Sequence, residues 1–107
     1  MAELKTVATI HDIPPGEIMV VNVGDADKEN DVAIANCDGQ YYAFSNNCTH
    51  KGGPLGEGLM LPNCVVECPF HGGQFDMRTG AVVSAPPTEP IATYPVTIEG
   101  DSIKIPV

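Results

Sequence analysis

Cys48 to His71 reads CTHKGGPLGEGLMLPNCVVECPFH and holds two short ligand pairs, Cys48-x-His50 and Cys68-x-x-His71, with 17 residues between His50 and Cys68. Each pair supplies one thiolate and one imidazole from a short turn, so two such turns facing each other offer two sulfurs and two nitrogens to metal. That donor set suits iron-sulfur clusters and zinc, and disfavours calcium and magnesium, which prefer oxygen. Between the pairs, Gly52, Gly53, Gly56 and Gly58 permit positive φ and close backbone approach. Pro69 stiffens the approach to the second pair, and Gly72-Gly73 follow it. A polar loop between glycines is a poor place to bury a histidine for packing alone.

The loops CTHKGG and CPFHGGQFD resemble those of the Rieske proteins, which hold a 2Fe-2S cluster with Cys and His from each of two loops. The resemblance implies that Cys48 and Cys68 bind one iron, and His50 and His71 the other. Two ferric ions, two sulfides and two thiolates with two neutral imidazoles sum to zero, whereas four thiolates leave a charge of minus two. Imidazole ligation therefore raises the potential to roughly -150 to +300 mV, against about -400 mV for plant-type ferredoxins. The electron should settle on the His-bound iron. His50 and His71 should also hold a proton more firmly once it has entered; a potential flat to strongly alkaline pH would count against that.

Respiratory-type Rieske subunits carry an extra disulfide-bonded cysteine in each loop, and hydroxyl donors to the sulfurs. This chain has Gly53 and Phe70 in place of those cysteines, and Gly73 and Phe75 in place of Ser and Tyr. Fewer donors leave the reduced state less stabilised, at the low end of the Rieske range. Low-potential Rieske ferredoxins of this size carry electrons from a flavin reductase to the terminal oxygenase of aromatic-ring dioxygenases. The resemblance thus implies a one-electron carrier with two transient protein partners, ferredoxin reductase and terminal oxygenase. A permanently bound small subunit of a larger oxidoreductase, such as a nitrite-reductase-type assembly, is the alternative. A tetrahedral zinc site on the same four residues is a third reading, and it would be colourless.

Outward from the loops, the chain of 107 residues makes one domain, small enough for a bound cluster to help hold it together. Eleven glycines and ten prolines indicate many turns and short strands. The pattern gives strands at Leu4–Ile10, Glu17–Val23, Val32–Asn36, Gln40–Ser45, Leu59–Leu61, Val65–Glu67 and Gln74–Met77, then Ile91–Ile98 and Ser102–Val107. Hairpins turn at Asp38-Gly39 and at Glu99-Gly100-Asp101. No helical period is sustained. The expected architecture is all-β: an antiparallel base, about 1–45 and 81–107, with a cluster-binding insert, about 46–80. The resemblance implies that the insert is the smaller subdomain of a Rieske fold, with three stacked sheets in all.

Formal net charge is -9, from 14 acids and 5 bases. Such a surface repels nucleic acid and anionic lipid; it suits either a basic protein partner or simple solvation. No apolar run marks a signal peptide or anchor near the start, so a cytoplasmic protein is expected, with its cysteines as thiols or metal ligands. Cys64 and Cys68 lie four apart in NCVVEC, roughly 13 Å along an extended strand, too far to share an iron. Cys37 and Cys64 are therefore expected to be small buried hydrophobes. The loop GDADKEND, with Asp25, Asp27, Glu29 and Asp31, lacks the glycine and terminal Glu of a calcium loop. His11 is expected as a surface or capping residue, and Leu55, Pro54 and Phe70 as an apolar collar beside Lys51. The resemblance implies a proline-bearing loop over the cluster, a part open to Pro86 and Pro87, with an ordinary edge-of-sheet connector as the alternative. No nucleophile and base pair, phosphate loop or useful carboxylate pair appears, so no substrate chemistry is expected on this chain.

Overall fold

Val32 to Cys37 reads VAIANC, with little charge and alternating large and small side chains. A strand without a polar face must be covered on both sides. A computed structural model, which describes residues 4–22, 31–47, 54–70, 72–84 and 89–106, places this run as β3 (Asp31–Cys37) in the middle of the molecule. Around it, β2 (Ile18–Asn22), β4 (Gln40–Ser45) and β9 (Thr93–Tyr94) complete an antiparallel sheet of order β2-β3-β4-β9.

The period of two then divides the core. Val32, Ile34 and Ala43 face a three-stranded sheet of β1 (Leu4–Thr9), β11 (Ser102–Pro106) and β10 (Thr97–Glu99), packing with Ala8, Ile13, Ile103 and Ile105. Ala33, Ala35 and Phe44 face the other way, onto Leu55, Val66, Phe75 and Met77. Val66 and Phe75 belong to a third sheet, β5 (Leu59–Leu61), β6 (Val65–Glu67), β7 (Gln74–Asp76) and β8 (Val82–Ser84); Leu55 opens the 3₁₀ turn Leu55–Glu57 before it, and Met77 directly follows β7. The architecture is all-β in three antiparallel layers, as expected.

The β3–β4 hairpin closes where its residues predicted. Asp38 and Gly39 both have positive φ, 53° and 89°, the left-handed pair that matches strand twist in a two-residue turn. Asn36, buried at the foot of the hairpin, accepts the Gly39 N–H at 2.8 Å and donates through Nδ2 to the Ile13 carbonyl at 2.8 Å. Replacing Asn36 by Ala strands the buried Ile13 carbonyl, while water can reach the exposed Gly39 N–H; an unsatisfied buried partner costs about 1–3 kcal/mol. Urea unfolding of Asn36→Ala should show a loss of about 1–3 kcal/mol.

Three expectations are corrected. Ile91 to Ile98 is not one strand: β9 pairs with β4, and β10 pairs with β11, on either side of Pro95. Proline has no N–H to donate and fixes φ, so it breaks the ladder where the chain changes sheet. Val82–Ser84 leaves the base and pairs with Gln74–Asp76, through Phe75↔Val82 and Gln74↔Ser84. Finally, Cys37 and Cys64 are not separate apolar side chains. They form a disulfide with Cα atoms 5.8 Å apart, linking the β3–β4 hairpin to the β5–β6 turn. Asp25, Asp27 and Glu29 lie outside the described residues.

Candidate metal centre

The segments that carry the expected ligands grow from strand ends, and backbone bonds pin both ends of each. For the first loop, Asn47 bridges Pro54 in antiparallel fashion, and the Leu55 N–H donates to the Asn46 carbonyl at 2.8 Å. The buried Asn46 side chain also accepts the Gly56 N–H through Oδ1 at 2.7 Å. For the second, the Cys68 N–H donates to the Gly73 carbonyl at 2.7 Å, and the Gly72 N–H donates to the Cys68 carbonyl at 3.1 Å. The loops therefore leave and re-enter the fold at fixed points.

Of the four expected ligands, Cys48, His50 and His71 lie outside the described residues, as do Lys51, Gly52, Gly53, Pro86 and Pro87. Cys68 is described: it is 4% exposed and forms no disulfide. It packs against the core with Val66, Phe75 and Met77, and its sulfur is a soft donor of the kind that suits iron in an iron-sulfur cluster. Residues flanking both loops line one open hollow of about 470 Å³: Asn46, Asn47 and Pro54 from the first side and Phe70 from the second, with Val20 and Glu57. The tertiary structure thus brings the two loop anchors to one place.

The expected collar is only partly present. Phe70 is 57% exposed and Pro54 is half-buried, but Leu55 has no exposed surface and packs in the core with Phe44, Val66 and Phe75. The 3₁₀ turn rotates Leu55 inward, so it anchors the loop from below. Gly56 and Gly58 are needed for room: a side chain at Gly56 would meet Val20 and Asn46 Oδ1, and one at Gly58 would meet the Glu67 carbonyl. Asn46 escaped the sequence reading. Its only signal was a polar residue at the end of an apolar strand, two positions before the first ligand.

His11 is at the surface as expected, with Nε2 3.2 Å from Asp101 Oδ2. Among the charges of the third sheet, the Arg78 guanidinium meets Asp76 at 3.1 Å through Nε and 3.0 Å through Nη2. Those side-chain hydrogen bonds, opposed by burial and aided by the Arg78 backbone N–H, hold the Asp76 carboxyl below its ordinary value. A carboxylate with a depressed folded pKa adds stability that is complete above the unfolded pKa, about 3.9, and is lost as pH falls through the lower folded value. Asp76→Asn should therefore flatten the acid limb of the stability profile below pH about 4, with less than about 1 kcal/mol lost at neutral pH. Thermal melts across that range check it.

The comparisons with known proteins agree with this geometry. The biphenyl dioxygenase ferredoxin subunit of Pseudomonas sp. (strain KKS102) is 44% identical over 97 residues, 91% of this chain and 85% of that one. The ferredoxin of carbazole 1,9a-dioxygenase from Nocardioides aromaticivorans IC177 superposes with TM-score 0.88 and 32% identity, over 98% of both chains. The complex of reduced oxygenase and oxidised ferredoxin in carbazole 1,9a-dioxygenase contains a chain matching at TM-score 0.86 and 34% identity, covering 96% of this chain and 92% of that one. The family model of the Rieske [2Fe-2S] domain matches residues 3–95. With its three antiparallel layers and two loops pinned at their bases, this chain belongs to the Rieske [2Fe-2S] domain family and takes a Rieske-type 2Fe-2S cluster.

Proposed function

We propose that the protein is a one-electron carrier that takes electrons from a flavin-dependent ferredoxin reductase and delivers them to the terminal oxygenase of an aromatic-ring dioxygenase. Cys48 and Cys68 would hold one iron, and His50 and His71 the other. A bound 2Fe-2S cluster supplies reversible acceptance of one electron. The protein supplies the setting: Cys68 is buried, while Phe70, two residues on and next to His71, stands in solvent. One turn thus carries a ligand inward and a contact outward, which is the observation that most favours exchange across a docking face.

Glu57 and Asp31 rim the hollow beside Phe70, so a partner with a basic, partly apolar face suits it, and contact should be brief. We place the carrier in the cytoplasm; no helix among the described residues is long and apolar enough to cross a membrane. Domain division follows the same reading: a base inserted with a cluster-binding subdomain that begins near residue 46 and includes β8. A permanent small subunit would instead co-purify with a larger enzyme.

Reconstitution with a flavin reductase and a dioxygenase oxygenase tests the proposal: product should form only when the carrier is present. Electron paramagnetic resonance of the dithionite-reduced protein should give the g-values of mixed Cys/His ligation. A silent, colourless sample with one zinc per chain by metal analysis would mean a zinc site. Phe70→Ala should lower kcat/KM for oxygenase reduction about 10- to 100-fold, the range of an aromatic docking contact, and leave that spectrum unchanged. An equal loss of spectrum and activity would assign Phe70 to the cluster's own shell.

A further inference from the structure

Four cysteines serve the chain, and the ligand pairs use two. The other two, Cys37 and Cys64, are joined across the boundary between the base and the third sheet. Cys37 ends β3 in the base hairpin. Cys64 sits in the turn between β5 and β6, three residues of strand before Cys68. The covalent ring runs from 37 to 64 and encloses the whole first ligand pair, while the second pair begins just beyond it.

Two further observations make this bond a control point. Asn63 and Cys64 both have left-handed φ, 66° and 59°. Asparagine tolerates that region, whereas a cysteine gains nothing local from it; the bond to Cys37 and the Met77 N–H on the Cys64 carbonyl at 2.9 Å hold it there. In addition, the pair is within reach of reagents. Cys37 is buried, but Cys64 is half-buried, and an open cleft of about 260 Å³ runs beside Cys37 along Asp38, Met60 and Asn63.

We propose that Cys37 and Cys64 form a reversible redox site that governs how firmly the cluster is retained. With the bond closed, the β5–β6 turn is locked to the base and the ring restricts the open states from which cluster is lost. With it open, the turn that leads into Cys68 is held by strand pairing, packing and the Met77 N–H on the Cys64 carbonyl. The reductant is a dithiol, the oxidant a disulfide. A reductant thiolate attacks Cys64 Sγ, forming a mixed disulfide and releasing Cys37 as a thiolate that takes up a proton. The second reductant thiol displaces Cys64, which is protonated in turn, and the reductant leaves as its own disulfide. Two electrons and two protons pass to the protein, and the reverse sequence restores the bond. In a reducing cytoplasm the site stands open, and oxidising stress closes it.

The inference rests on the cluster assignment above, so iron and acid-labile sulfide are measured first; their absence would sink that assignment and not the disulfide. Holoprotein is then treated with a disulfide oxidant or a neutral 1,4-dithiol, its thiols alkylated, and its peptides mapped without further reduction. The Cys37 and Cys64 peptides should be linked after oxidant and separate after dithiol. The oxidised form should lose its visible absorption at least about threefold more slowly on warming, with an unfolding midpoint about 10 °C higher. The double variant Cys37→Ser, Cys64→Ser should match the reduced protein under both treatments; if it does not fold, the two wild-type forms still give the comparison. Two alkylated thiols after oxidant, or equal loss rates and midpoints in both forms, would overturn the proposal.

Discussion

Replacing Cys68 by alanine should give a colourless protein without acid-labile sulfide, and with an unfolding midpoint at least about 10 °C below the parent's. The loop itself does not need the thiol. Its closing bonds, Cys68 N–H to Gly73 O and Gly72 N–H to Cys68 O, are all backbone, and alanine keeps them. Deleting one buried sulfur alone should cost about 1–2 kcal/mol of packing. A larger deficit, together with lost colour, therefore reports a missing metal ligand. The apoprotein separates the two effects: in material stripped of cluster, the variant and parent should differ by the packing amount only. An alanine variant with full visible absorption would remove Cys68 from the ligand set.

Gly80→Ala should be among the most damaging single changes elsewhere, at more than about 3 kcal/mol. Two penalties add there. Gly80 has φ +81°, which costs an alanine about 1 kcal/mol. A Cβ would also meet the Ile91 carbonyl, and backbone oxygen cannot swing aside as a side chain can. Around it, the Gly80 N–H donates to Asp76 O at 2.7 Å and the Ile91 N–H donates to Gly80 O at 2.9 Å, so relief of the clash breaks the tie between the third sheet and the chain returning to the base. Gly100→Ala is the control, with φ +61° and nothing within 4 Å of its Cβ; it should lose only about 1 kcal/mol. Chemical denaturation of the two variants distinguishes sterics from conformation, and equal losses would show that the Ile91 contact is relieved without consequence.

The strands and hairpins were legible because their causes are local. Alternating burial along Ser102–Pro106, the Asp38-Gly39 turn, and the exposed His11 all follow from residues a few positions apart. The spacing of the proposed ligand pairs was legible for the same reason, since residues two or three apart need only one turn to lie together. Leu55 shows the limit. An apolar residue amid glycines suits either a solvent-facing collar or an inward anchor, and only the packing of Phe44, Val66 and Phe75 beneath the 3₁₀ turn chose the second.

Sequence by itself determined the class of strands, the hairpin turns, and the family to which CTHKGG and CPFHGGQFD point, because bond geometry and side-chain alternation act over a few residues. Tertiary structure alone decided which strands share a sheet, that Val82–Ser84 joins the third layer, that one hollow borders both loops, and that Cys37 meets Cys64. These depend on contacts between residues distant along the chain. The four positions from Cys64 to Cys68 keep those two cysteines apart, but say nothing of a partner 27 residues upstream of Cys64 until the sheets have stacked.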